Sequence, residues 1–225
     1  MTSEILPTNK KRISIEGNIS AGKSSLLSLL SLNKWKTIQE PVDEWRGVIS
    51  GYNILKKLYE DPERWSFTFQ TQAFFSRVRM YTDSIKHQDN NNTIIFERSV
   101  FSDKYVFAKA LLELGYMDKM EWDIYDRNSE WINSRMNISL DGIIYLRTSI
   151  DICAERLKRR SRAEENNISV DYLNVLHENH EKWLLDDKMN LLPPIMIING
   201  DTDFLSNETI KKGIIRSVSR FIDKL

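Results

Sequence analysis

The chain is expected to adopt an α/β fold: one domain over residues 1–225, built on a five-stranded parallel sheet with helices on both faces. Three observations predict it. Five short apolar runs alternate with longer helical stretches, the pattern of parallel strands joined by helical crossovers. The first apolar run leads directly into Gly17-Asn18-Ile19-Ser20-Ala21-Gly22-Lys23-Ser24, and a helical stretch follows. No internal repeat or long linker divides the chain, and no low-complexity tract beyond Asn90-Asn91-Asn92.

The elements follow in order. Residues 12–16 read as a buried strand and 25–30 as the helix beyond the glycine-rich turn. Residues 36–40 make a short second strand, stopped by Pro41. A helix over 52–60 ends near Asp61-Pro62. A long helix covers about 65–87 and is broken by Asp89-Asn90-Asn91-Asn92. Residues 93–97 are a third strand, apolar enough for a sheet covered on both faces. Helices over about 100–114 and 119–136 precede a fourth strand at 142–147. Helices at 151–160 and 169–186, a fifth strand at 194–198 and a helix from about Ser206 complete the chain.

Composition narrows the function classes. Hydrophobic residues make up 41%, enough for a packed core, which argues against disorder. Lys+Arg 32 balances Asp+Glu 32, so no broad surface for nucleic acid is expected; a small phosphorylated ligand needs only local positive charge. The single cysteine, Cys153, excludes an intramolecular disulfide and fits a reducing compartment. Its helical setting reads as a small buried thiol. His177 and His180 are spaced i, i+3 and could share a metal, but no cysteine or carboxylate cluster completes a zinc pattern. No apolar run approaches membrane-spanning length. Residues 1–7 lack a signal peptide's apolar core and a transit peptide's arginines. A soluble, cytoplasmic protein without nucleic-acid or membrane partners is expected.

Gly17 to Ser24 spell Gly-x-x-x-x-Gly-Lys-Ser, the phosphate-binding P-loop. A glycine-rich turn ahead of a helix N-terminus lets consecutive backbone N–H groups point at one anion. Lys23 would reach the β/γ-phosphates of a nucleoside triphosphate, and Ser24 would bind Mg²⁺. In parallel sheets ligands gather beyond the carboxyl ends of the strands. Glu40 and Glu97 end strands two and three there. One carboxylate beside Mg²⁺ and a second near an acceptor hydroxyl suit phosphoryl transfer. Each could equally be an ordinary strand-end acid.

Two further clusters stand out. Arg156-Leu157-Lys158-Arg159-Arg160-Ser161-Arg162 holds five basic residues in seven, with Arg156 and Arg160 on one helical face. It reads as a solvated helix end, as a localisation or nucleic-acid patch, or as a lid closing arginines over phosphates. Gln70, Ala73 and Arg77 share a face of the long helix, and Asp103 and Phe107 are i, i+4 on the helix after Glu97-Arg98. An amide edge and an aromatic ring could read a nucleobase. A helix interface around a buried ion pair is the other reading.

Ordered blocks across nearly the whole chain resemble the deoxynucleoside kinase family, most closely its deoxycytidine and deoxyguanosine/deoxyadenosine kinase members. They are Ile15-Glu16-Gly17-Asn18-Ile19; Glu40-Pro41-Val42 with Trp45; the stretch from Tyr59 to Thr71; Glu97-Arg98-Ser99-Val100-Phe101-Ser102-Asp103; Asp141-Gly142-Ile143-Ile144-Tyr145-Leu146; and the stretch from Arg156 to Glu165. The Glu-Arg-Ser block and Trp65-Ser66-Phe67-Thr68-Phe69-Gln70 are the most specific.

The resemblance implies a P-loop kinase fold with an arginine-rich lid. The implied reaction moves the γ-phosphoryl group of ATP, or another nucleoside triphosphate, to a deoxynucleoside 5′-hydroxyl, a step in salvage of DNA precursors. Glu40 would take the hydroxyl proton, with Arg98 orienting it. Lys23 and the lid residues Arg156, Arg160 and Arg162 would stabilise the transferring group, and Ser24 and Glu97 would hold Mg²⁺. The loop Gly17, Asn18, Ile19, Ser20, Ala21, Gly22, Lys23, Ser24 and Ser25 would cradle the donor, with Arg160, Asp203 and Phe204 beside it. Tyr59 and Glu165 would bind the sugar 3′-hydroxyl. Gln70 would bond the base edge and Phe107 stack on it, while Ile19, Trp45, Leu55, Leu58 and Phe69 wall the pocket. Ala73, Arg77 and Asp103 would favour deoxycytidine and purine deoxynucleosides over thymidine.

The resemblance also implies a homodimer, with the helices over 65–87 and 119–136 as candidate contacts. Only twelve residues separate Trp45 from Leu58, where vertebrate members carry a longer insert. Gln72, Phe74 and Phe101 also depart from the family pattern. A nucleoside monophosphate kinase, such as a thymidylate kinase, shares the P-loop and lid, but the Glu-Arg-Ser block and Glu40-Pro41 argue against it. A P-loop switch or nucleic-acid-dependent NTPase is disfavoured because no Asn-Lys-x-Asp element is present.

Overall fold

A computed structural model describes residues 10–47, 51–86, 92–165, 167–186 and 192–225. The predicted N-terminal stretch 1–7, His87 and Asp89-Asn90-Asn91 lie outside the described residues.

Five strands form one parallel sheet: β1 (Lys11–Glu16), β2 (Lys36–Ile38), β3 (Thr93–Glu97), β4 (Gly142–Arg147) and β5 (Ile195–Asn199). Their spatial order is β2-β3-β1-β4-β5. The P-loop strand β1 is therefore central, between β3 and β4, with Ile13 opposite Ile95 and Ile15 opposite Ile144. The chain steps to opposite sides of β1 when it makes β3 and β4. That switch opens a crevice at the carboxyl end of the sheet, where ligands collect.

The helices are α1 (Lys23–Ser31), α2 (Val42–Trp45), α3 (Ile54–Glu60), α4 (Pro62–Lys86), α5 (Val100–Ser102), α6 (Lys109–Glu113), α7 (Lys119–Arg135), α8 (Ile150–Arg160), α9 (Val170–Leu185) and α10 (Glu208–Lys224). Both sheet faces are covered. Ile13, Ile15, Ile95 and Ile144 join a core with Leu26 and Leu30 of α1 and Val218 and Ile222 of α10. Ile94 and Phe96, pointing the other way, pack with Phe69, Phe74 and Tyr81 of α4 and Ile132 of α7. Apolar residues on both faces of β3 follow from the period-two alternation of a strand.

Three local differences from the expected elements bear on function. The ladder of β2 ends at Ile38, not at Glu40. Pro41 has no N–H to donate, and Val42 N donates back to the Glu40 carbonyl (2.8 Å), so the chain turns into α2. Pro62 does not merely stop α3 but opens α4, where its missing N–H costs nothing. Between α5 and α6 the backbone widens into a π-helical turn, Asp103–Ala108. Such turns re-aim side chains and recur at functional sites.

Candidate active site

The crevice is an open cleft of about 860 Å³. Ile19, Ser20, Gly22, Lys23, Ser24 and Ser25 line its floor. The tight turn needs its glycines: a Cβ on Gly17 would stand 2.5 Å from the Leu146 carbonyl oxygen, and Gly22 has φ +103° as it starts α1. Gly17, Asn18 and Ala21 lie behind the lining and hold its shape. Asn18 Nδ2 donates to the Leu173 carbonyl (2.9 Å), and its Oδ1 accepts from Ile19 N (2.8 Å). Thr148 Oγ1 and Arg156 Nη1 each donate to the Ala21 carbonyl (3.1 Å).

Lys23 folds back to donate to the Asn18 carbonyl (2.7 Å). Burial, aided by the charge of Arg98, pushes its ammonium down to about 7. A bound polyphosphate's negative charge would favour the protonated form. Ser24 Oγ donates to Glu97 Oε1 (2.6 Å), bringing the two expected Mg²⁺ ligands together at the cleft. Beyond β5, Thr202, Asp203, Phe204 and Leu205 line the opening, so the expected donor-side residues Asp203 and Phe204 do border the cleft.

The other end of the cleft is built by α4 and the π turn. Phe69, Gln70, Ala73 and Arg77 line it with Asp103 and Phe107, so the expected helix face and the residues after Glu97-Arg98 do meet. Trp45, Leu55, Leu58 and Tyr59 close the other side. Trp45 meets Phe69 edge-on at 5.5 Å between ring centroids. Trp45 is fixed further by its Nε1–H donating to Ser76 Oγ (3.0 Å). Gln70 is 1% exposed, yet neither amide oxygen nor nitrogen has a hydrogen-bond partner. Burial of an unmet amide is costly; here the cleft offers it space for a ligand edge.

Charge is concentrated at Glu40. Arg77 Nη2 donates to Glu40 Oε1, and Arg98 Nε lies 3.4 Å from the same oxygen. Burial alone would raise the Glu40 carboxyl, but the charges of Arg77, Arg98 and Lys23 outweigh it and hold the group well below the usual carboxylate range. Arg77 also donates through Nε to Asp103 Oδ1 (2.9 Å). Burial raises Asp103 to about 6 despite that partner. Arg98 has φ +63°, a strained backbone for a side chain with a Cβ. That turn lets its Nη1 donate to the Gly17 carbonyl (2.8 Å) while the guanidinium lies 4.5 Å from the Phe107 ring centre.

The basic run borders the cleft. Arg156, Arg159, Arg160 and Arg162 line it from the end of α8 and the segment beyond. Arg160 donates to Glu165 through Nη2 and Nε (3.0 Å for the latter), and Arg162 Nη1 lies 3.4 Å from Glu165. Thus both expected 3′-hydroxyl ligands, Tyr59 and Glu165, lie in the cleft, but Glu165 already engages the lid.

Some participants had no sequence signal. Tyr172 lines the cleft from α9, a placement decided by packing alone. Glu16 is fully buried beneath the loop and accepts from Ser99 Oγ (2.6 Å), lacing β1 to the segment after β3. Burial raises its carboxyl. Its strand-end position was visible; its partner was not. Away from the cleft, Cys153 is buried, with its thiol pushed up to about 11 by desolvation. His180 is also buried, and its Nδ1 contacts the Leu176 carbonyl at 2.7 Å. Among the described residues no group of three or more metal-binding side chains occurs, and no helix is long and apolar enough to cross a membrane.

Comparison with known proteins gives a consistent answer. The family model described as deoxynucleoside kinase matches residues 13–223. The chain is 49% identical over 222 residues to a probable deoxycytidine kinase of fowlpox virus, covering 98% of this chain and 92% of that protein. It is 38% identical over 245 residues to human deoxycytidine kinase, covering 97% and 93% of the two chains. It is 35% identical over 239 residues to the mitochondrial deoxyguanosine kinase of Xenopus laevis, covering 94% and 89%.

Proposed function

The chain belongs to the deoxynucleoside kinase family, and we propose that it transfers the γ-phosphoryl group of ATP or another nucleoside triphosphate to a deoxynucleoside 5′-hydroxyl, preferring deoxycytidine and purine deoxynucleosides to thymidine. One observation carries this reading: the unpartnered Gln70 amide lies in the same cleft as the Gly-Lys-Ser loop and the Glu40–Arg98 pair. A nucleobase edge would satisfy that amide, with Phe107 as its stacking surface. The relatives named deoxycytidine kinase and deoxyguanosine kinase support the base class.

In this reading Glu40 accepts the 5′-hydroxyl proton as that oxygen bonds to the γ-phosphorus and the nucleoside diphosphate leaves. Arg98 holds Glu40 in place. Lys23, Arg156, Arg160 and Arg162 offset the negative charge of the transferring group. The Ser24 hydroxyl and Glu97 carboxylate are hard oxygen donors that fit Mg²⁺. When bound, Mg²⁺ neutralises phosphate charge. Tyr59 and Glu165 take the sugar 3′-hydroxyl. Arg77 and Asp103 would crowd a thymine methyl with charge.

A homodimer belongs to the same proposal. Phe75 of α4 and Met120, Ile124 and Trp131 of α7 are exposed large apolar side chains on the two helices expected to join subunits.

The test is a substrate panel: deoxycytidine, deoxyadenosine, deoxyguanosine, thymidine and deoxycytidine monophosphate, with the native chain and with Arg77→Met/Asp103→Ala. Phosphorylation of the first three over thymidine, and a gain in thymidine kcat/KM in the variant, are expected. Preference for the monophosphate would overturn the reaction; no thymidine gain would overturn the account of selectivity.

A further inference from the structure

We propose that Arg77 is a positioning residue for phosphoryl transfer as well as a reader of the nucleobase, because one guanidinium holds both the base-facing Asp103 and the Glu40 carboxylate. The inference rests on the reading of Glu40 as the residue that takes the 5′-hydroxyl proton.

The geometry is specific. Arg77 projects from α4 and spends its Nε on Asp103 and its Nη2 on Glu40, while Nη1 is buried without a partner. Its guanidinium lies 5.0 Å from the Trp45 ring centre, so one side is fixed by an aromatic face. The fork is planar, and a shift of one arm turns the other. A nucleobase that draws on Asp103 or on the free Nη1 therefore alters the hold on Glu40. Base identity and hydroxyl activation are coupled through a single side chain.

The charges facing Glu40 are Arg77 from α4, Arg98 from the turn after β3 and Lys23 from the P-loop, with Asp103 opposing them from the π turn and Tyr59 contributed by α3. Of the arginines, Arg77 makes the direct hydrogen bond. Removing its charge raises the Glu40 carboxyl, so protonation reaches Glu40 at higher pH. Removing Asp103 alone does the reverse, because a negative neighbour is lost.

The experiment measures kcat for deoxycytidine from about pH 8 to about pH 4 in the native chain, Arg77→Met/Asp103→Asn, Asp103→Asn and Arg77→Lys. Each variant is divided by the native rate at the same pH, so that ionisation of donor and acceptor cancels. The double-variant ratio should fall below about pH 5, since Glu40 starts at about 2 and loss of a neighbouring opposite charge moves a carboxyl up by about one to three units. The Asp103→Asn ratio should show no fall at the acid end, any change near about pH 6 being the loss of Asp103's own titration. Arg77→Lys, which keeps the charge but not the fork, should keep the native acid limb with a lowered kcat. A double-variant ratio constant across the range overturns the coupling. If that variant does not fold, Arg77→Gln/Asp103→Asn, which keeps a polar pair, carries the same test. Near-normal turnover by Glu40→Gln would instead remove the underlying reading of Glu40. A crippled Glu40→Gln with a flat ratio sinks only the coupling.

Discussion

At Glu40, two arginines whose side chains are 4% and 3% exposed close on a carboxylate that is 14% exposed. At Glu165, two arginines 33% and 34% exposed close on a carboxylate that is 7% exposed. The chemistry is the same, but the supports differ. Arg77 comes from the long packed helix α4, and Arg98 from a strained turn at the end of a central strand. Arg160 and Arg162 come from the last residue of α8 and the segment after it. Water screens the second cluster, so its ion pairs contribute little to stability. The first is held where both partners must stay paired. One end of the cleft is a buried charged frame, and the other a more solvent-exposed basic cover.

Breaking each end should have different consequences. The largest effect is expected from Glu40→Gln, which removes the proton acceptor and leaves the frame's shape. It should lower kcat by about 10²–10⁴ with deoxynucleoside binding retained. Stopped turnover assays and calorimetric binding measure the two separately, and turnover close to native would take Glu40 out of its role.

Arg77→Met alone should come next. It leaves Asp103 buried beside an apolar side chain, and urea unfolding should show a loss of about 3–5 kcal/mol. A loss below 1 kcal/mol, about the value of an exposed pair, would show that the frame is as adaptable as the lid.

Arg160→Met should have the smallest effect on folding, roughly 0–1 kcal/mol, because its partner contact is screened. Its kcat should nevertheless fall, since in the proposed reading the side chain, which lines the cleft, would turn from Glu165 to the transferring phosphates. Equal losses of stability and turnover would dissolve the contrast between frame and cover.

The two ends were unequally legible in the sequence. The basic run was visible as five basic residues in seven at the end of a helix, while its role stayed open among three readings until the family resemblance favoured a lid. The acceptor frame showed its helix face, since Gln70, Ala73 and Arg77 repeat at helical spacing. It did not show that Arg77 reaches back to Glu40, nor that Asp103 and Phe107 ride a π turn rather than a regular helix. Nor did it show that Glu165, read as a sugar ligand, also holds two lid arginines.

By itself the sequence determined what local rules control. A strand, a glycine turn with Lys23-Ser24 and a helix are contiguous, so the phosphate cradle is specified within one short segment. Five apolar runs separated by helices leave a parallel sheet as the outcome. Tertiary structure decided which distant charges share an oxygen. Glu40, Arg77, Arg98 and Asp103 come from different elements, and only the pairing of β2 beside β3, with α4 packed against the π turn, brings them to one rim. Such contacts depend on packing distances of a few ångströms, which no spacing along the chain encodes.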